Sequence, residues 1–131
     1  MLYKKLKSWF SKGDNDTVVS LPKDKDARFL LKIDGIDVGY LLSKEGEWYF
    51  SYTKEFQQHQ DYNLITGFSE FDKVYKSEEL WPFFRIRIPG LKQPFVQEIL
   101  EQEKIDKNDE VELLKRFGKR TIANPYELTL A

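Results

Sequence analysis

The chain has no cysteine, one histidine and no apolar run approaching the 18 or more residues that cross a bilayer. Lacking cysteine, it has no thiol catalysis, disulfide, Cys-ligated zinc or iron–sulfur centre, and it suits a reducing compartment. The one histidine, His59, sits in Gln57-Gln58-His59-Gln60. With no second His nearby, the spacing gives it no partners for metal ligation or general-base work, and it reads as a surface-loop residue. The seven glycines form neither a GxGxxG nor a phosphate loop, and no serine stands in a Gly-x-Ser-x-Gly elbow. Glu98, Glu101 and Glu103 lie close in sequence, but on a helix Glu98 and Glu101 merely share a solvated side, which does not make a carboxylate pair for catalysis. No catalytic residue, metal site, cofactor or small-molecule substrate is therefore expected, and the chain does not read as an enzyme. A large charge of either sign is also missing. Twenty-one Lys and Arg against 22 Asp and Glu give a net charge of −1, which argues against a whole surface devoted to nucleic acid or an acidic membrane. The N-terminus lacks the uncharged apolar stretch of a signal peptide, so a soluble, cytoplasmic protein is expected.

What is present is length for one domain and an excess of rings. At roughly 100 to 200 residues per domain, 131 residues make a single compact unit. Such a unit is large enough to bury a core without staples. Aromatic residues make up 15% of the chain, a content that fills a β-rich core or an interface. The first 12 residues carry four lysines and no acidic side chain, with Leu2, Leu6, Trp9 and Phe10 near one helical face, so residues 1–26 read as a basic amphipathic segment and a polar linker. Two readings of the segment stay open. It is an interfacial membrane contact or partner-groove helix, or it is a terminal helix packed on the domain or a frayed end.

Residues 27–131 read as an α+β domain: an antiparallel β-meander of three or more strands packed with two C-terminal helices, preceded by the short N-terminal amphipathic helix. Phe29, Leu31 and Ile33 alternate along a first strand, Asp34-Gly35 suits a type I′ turn, and Ile36, Val38, Tyr40 and Leu42 alternate along a second. After Lys44-Glu45-Gly46, Trp48, Phe50 and Tyr52 continue the pattern in a third. Gly39, mid-strand, marks a bulge or a close-packing site. Residues 54–80 are polar, with a short strand expected at 62–66 and a charged turn around 72–79. Pro94 opens a helix in which Phe95, Ile99, Val96 and Leu100 give the apolar stripe. Asn108 or Asp109 caps a second helix, which buries Val111, Leu113, Leu114 and Phe117 and stops at Gly118 in the left-handed conformation. Thr121-Ile122 and residues 127–130 read as two brief strands hinged at Asn124-Pro125.

One segment concentrates binding chemistry: Trp81, followed between Pro82 and Pro89 by Phe83, Phe84, Arg85 and Arg87. Trp and Arg anchor interfaces because each joins a large contact area to a directed polar group. A core-filling turn with buried Phe83 and Phe84 and solvated arginines is the competing reading, and the two are compatible. With Arg116, Lys119 and Arg120 the segment would also make a basic aromatic surface for single-stranded nucleic acid. The acidic balance of the domain weighs against direct nucleic-acid binding.

Residues 35–41 read Gly-x-x-Val-Gly-Tyr-Leu and residues 48–52 Trp-Tyr-Phe-Ser-Tyr. Residues 80–84 read Leu-Trp-Pro-Phe-Phe and run into Ile88-Pro89-Gly90, and Asn108-Asp109-Glu110-Val111-Glu112-Leu113-Leu114 follows. In this order and spacing, over about residues 27–118, they resemble the HipA N-terminal domain. Two departures stand out: Pro89 is followed directly by Gly90 without the family's acidic residue, and residues 118–122 replace a small, Gly-rich strand. In HipA the kinase machinery follows this domain, and 131 residues leave no room for it, so the resemblance implies a chain that is not itself a kinase. It implies instead a free-standing module similar to the small subunit of split HipA toxin–antitoxin systems. Such a module binds and restrains or completes a HipA-like serine/threonine kinase chain, with a DNA-binding antitoxin as a further partner. Trp81, Phe83, Phe84, Arg85 and Arg87 are the expected partner-binding residues. Two alternatives from other classes remain: a nucleic-acid-binding accessory, and a membrane-associated adaptor that makes weak contact through residues 1–12.

Overall fold

A computed structural model describes residues 26–131. The expected amphipathic helix of residues 1–12 and the linker up to residue 25 lie outside the described residues. Strands β1 (Ala27–Ile33), β2 (Ile36–Lys44) and β3 (Glu47–Tyr52) form the meander. They are followed by the one-turn helix α1 (Lys54–Gln57), strand β4 (Tyr75–Ser77) and the one-turn helix α2 (Pro82–Arg85). Helices α3 (Pro94–Glu103) and α4 (Glu110–Phe117) and strand β5 (Glu127–Leu130) complete the domain. The five strands form one antiparallel sheet in the order β4-β3-β2-β1-β5, so the fold is α+β.

Both hairpins turn through two residues of positive φ, Asp34 (50°) with Gly35 (80°) and Glu45 (52°) with Gly46 (84°), as a type I′ turn requires. Phe29, Leu31 and Ile33 face the core from β1, and Trp48, Phe50 and Tyr52 from β3, as their alternation predicts. Strand β2 departs from the expected parity. Leu31 pairs with Gly39 but Lys32 with Asp37, so Val38 is the extra residue of a β-bulge. One inserted residue exchanges the two faces of everything beyond it. Val38 is therefore buried together with Leu41 and Ser43, while Tyr40 and Leu42, expected to share its face, lie on the outer side. There Tyr40 receives the Arg28 guanidinium 4.2 Å from its ring centre.

The bulge also seats the next element. The Thr53 N–H donates to the Val38 carbonyl at 2.8 Å and its hydroxyl to the Asp37 carbonyl at 2.6 Å. The same Oγ1 accepts from the Phe56 N–H at 3.0 Å and so caps α1. Gly39 is a close-packing site beside the bulge. A Cβ there would stand 2.6 Å from the Phe50 ring and 2.6 Å from the Ser51 carbonyl oxygen. Gly39→Ala is accordingly expected to cost about 1–3 kcal/mol by urea denaturation, since neither the buried ring nor the strand backbone can retreat. A midpoint equal to that of the parent chain would show that the sheet relaxes there.

Residues 54–80 are held by the core rather than by a local pattern. The Tyr52 hydroxyl donates to the Phe68 carbonyl at 2.6 Å and accepts from the Ile65 N–H at 2.9 Å, and burial pushes its pKa up to about 12. This side-chain bridge ties down residues 62–66, which form no strand. Part of the expected charged turn is instead β4, paired with β3 through Trp48, Tyr49 and Phe50.

Helix α3 buries Val96 and Leu100, whereas Phe95, expected in its stripe, is 69% exposed. Its stop is Lys104 at φ 56°. In α4 the cap is Asp109, whose side chain accepts from the Glu112 N–H at 3.1 Å. Val111 and Leu114 join the core under the sheet while Leu113 packs with Val96 and Leu100, so α4 couples α3 to the sheet. Gly118 ends α4 at φ −84°, right-handed and not left-handed as expected, because its N–H still bonds the Leu114 carbonyl at 2.7 Å. Thr121 and Asn124 form a single bridge before β5 pairs with β1.

Candidate functional site

The chemistry-bearing segment folds as α2 and its continuation. Trp81 is extended (φ −64°, ψ 149°), and Pro82 takes the first helical position, where its missing N–H costs nothing. The Trp81 carbonyl accepts from Phe84 at 3.0 Å and Arg85 at 2.9 Å, and the coil continues with Arg87 to Phe84 and Ile88 to Arg85. Residues three apart in such a coil share a face. Phe84 and Arg87 accordingly both point inward.

Phe84 has no exposed surface. Its ring lies 5.6 Å from Phe50, 6.2 Å from Phe68 and 5.1 Å from Phe83. Trp81 is half-buried and rests edge-on against Phe68 at 5.1 Å. Phe83, also half-buried, meets Tyr126 edge-on at 5.6 Å. Arg85 is exposed and donates from Nη2 to the Leu80 carbonyl at 2.9 Å, which orients it beside Trp81. The neighbouring Ile86 is 55% exposed.

Arg87 is only 4% exposed. Its Nη1 donates to the carbonyls of Gly118 at 3.1 Å and Lys119 at 3.3 Å. Its Nη2 donates to Asn124 Oδ1 at 3.3 Å and to the Tyr126 carbonyl at 3.0 Å. Burial lowers its pKa to about 10, which leaves it charged at neutral pH. Arg87 therefore ties α2 to the segment between α4 and β5. The five expected binding residues do come together, but in two roles. Trp81, Phe83 and Arg85 reach the surface, while Phe84 and Arg87 hold it from beneath. Sequence reading missed the inward turn of Arg87, whose signal was its three-residue spacing from Phe84.

The basic surface expected from Arg87, Arg116, Lys119 and Arg120 is largely neutralised. Arg116 pairs with Glu103 at 2.8 Å, Arg120 pairs with Glu127 at 2.7 Å, and Arg87 is internal. His59 meets Tyr62 edge-on with ring centres 6.5 Å apart. Among the described residues no group of three or more His, Asp or Glu side chains is placed to hold a metal ion, and no helix is long and apolar enough to cross a membrane.

A family model for the HipA N-terminal domain matches residues 30–123. The chain belongs to the HipA N-terminal domain family. The match runs from β1 through α4 and so includes α2 with all five residues discussed above. Membership supports a HipA-related toxin–antitoxin context. No curated protein matches the chain.

Proposed function

We propose that this HipA N-terminal domain is a non-catalytic protein-binding module that binds and restrains a HipA-like serine/threonine kinase chain in a toxin–antitoxin system. The observation that carries this reading is the setting of Trp81. Its ring is half-buried against Phe68 at the head of a turn fixed by Phe84 and Arg87, and exposed Arg85 and Ile86 stand beside it. A large ring already immobilised in the free chain loses little entropy on docking, which suits an interface anchor.

The test is binding of the tagged full chain to a HipA-like kinase co-purified from the native host, with the kinase assayed for phosphorylation with and without it. Trp81→Ala is expected to weaken binding by about 2 kcal/mol, roughly 30-fold, if the ring is a hot spot. Because Trp81 also touches the core, Arg85→Glu serves as the surface variant. It should lower the melting temperature only slightly, through the lost bond to the Leu80 carbonyl, and weaken binding about tenfold through the lost charge. No kinase among the co-purified proteins, or full affinity in both variants, would overturn the reading. Unaltered phosphorylation in the complex would remove restraint from it.

A further inference from the structure

We propose that the groove between residues 61–66, α2 and residues 124–126 is a binding site for a cationic side chain, arginine or lysine, carried by a partner polypeptide. The groove is open, with a volume of about 550 Å³, and is lined by Tyr62, Phe83, Pro125 and Tyr126 beside the buried Ile65. Aromatic faces carry the negative lobe of the ring quadrupole and attract cations within about 6 Å of the ring centre. One cation already lies near Phe83, the Arg87 guanidinium at 5.8 Å. It is internal and bound by four oxygens, so Tyr62 and Tyr126 are the rings left to receive a guest.

The polar groups at the groove have the matching sign. Asp61 lines it, no lysine or arginine does, and Asp34 accepts from the Tyr62 hydroxyl at 2.7 Å. Among the described residues neither Asp34 nor Asp61 has a basic partner. The hydrogen bond to Asp34 above all, with the charges of Asp34 and Asp61, holds the Tyr62 hydroxyl above the ordinary tyrosine range, as negative potential at this rim requires. Tyr126 adds a half-buried hydroxyl that makes no hydrogen bond among the described residues, and burial pushes its pKa up. An anion would meet the Asp61 carboxylate, with Asp34 standing behind the Tyr62 hydroxyl, and an apolar side chain would leave Asp61 unused. A guanidinium stacks on a ring while donating to a carboxylate, and so satisfies both kinds of group at once. The site does not depend on the partner being a kinase.

The test titrates the isotope-labelled full chain with acetyl-Gly-Arg-Gly-amide and follows backbone amide shifts, with citrulline in place of arginine as the neutral control. Saturable shifts confined to residues 61–66 and 124–126, with a Kd of order 1–10 mM, are expected for one such contact. The double variant Asp34→Asn with Asp61→Asn should weaken binding by about fivefold and abolish the difference between the two peptides. Both positions are exposed, and Asn tolerates the positive φ at residue 34, so the variant keeps the parent spectrum elsewhere. Shifts scattered over all acidic residues, equal response to citrulline, or undiminished binding by the variant overturns the proposal. No saturable response overturns it as well.

Discussion

Phe84→Ala is expected to lower the unfolding free energy by about 3–5 kcal/mol, read as a fall in the urea midpoint at unchanged slope. The side chain has no exposed surface and is ringed by Phe50, Phe68, Phe83 and Trp81. Rigid rings cannot collapse into the space it vacates as aliphatic chains would, so the loss sits toward the upper end of the range. Against a total stability of about 5–15 kcal/mol, it leaves the domain marginal. Phe84→Leu, which refills most of the volume, should cost about 1–2 kcal/mol. A loss below about 1 kcal/mol for the alanine variant would show that Phe84 is not the keystone of this cluster. The same pair of variants separates support from contact. Phe84→Leu keeps Trp81 seated and should bind a partner nearly as the parent does.

The meander was legible because its signals are local. Asp34-Gly35 and Gly46 are residues that tolerate the positive φ of the turns, and the apolar alternation of β1 and β3 points their side chains inward, whereas the positive φ of Glu45 had no local signal. The parity of β2 was not legible, because a bulge changes which face a residue takes without changing the residues themselves. Gly39 was the one visible mark; it stands for both the bulge, whose extra residue is the neighbouring Val38, and the crowding against Phe50, but it did not say which residue was inserted. Residues 54–80 were opaque for a different reason. They are organised by the Tyr52 hydroxyl, 13 and 16 positions away from Ile65 and Phe68, and no window of neighbouring residues contains that information. Phe95 misled because a ring beside Val96 reads as core. At one helical turn per 3.6 residues, a face centred on Val96 and Leu100 leaves position 95 outside.

Of the candidate site, composition identified the segment and the structure divided it. Aromatic and Arg enrichment singled out residues 81–87, yet it could not separate the rings that face outward from those that build the platform. The groove beside it was missed altogether. Its walls come from Tyr62, Phe83 and Tyr126, which are far apart in sequence and meet only because β5 returns to pair with β1.

Arg87→Met is expected to cost about 3–4 kcal/mol and to loosen the segment between α4 and β5 before the rest of the domain. The substitution keeps most of the volume and removes every donor. The buried Gly118 carbonyl and the part-buried carbonyls of Lys119 and Tyr126 and amide oxygen of Asn124 then lose their bonds to Arg87. Arg87→Lys retains the charge but offers a compact ammonium on a flexible stem. It cannot span four acceptors as the planar fork does, so roughly half the loss should remain. Amide hydrogen exchange distinguishes this from a general loss of core packing. Protection should fall first at Leu128, whose N–H bonds the Lys119 carbonyl at 2.9 Å, while the amides of β2 and β3 keep theirs. Uniform loss of protection across the sheet would show that Arg87 stabilises the fold globally rather than fastening its last strand. If the local loss is found, the groove should open with it. Tyr126 and Asn124 are held by Arg87 on one side and form the groove wall on the other, so the arginine peptide should bind the methionine variant more weakly even though Arg87 never touches it.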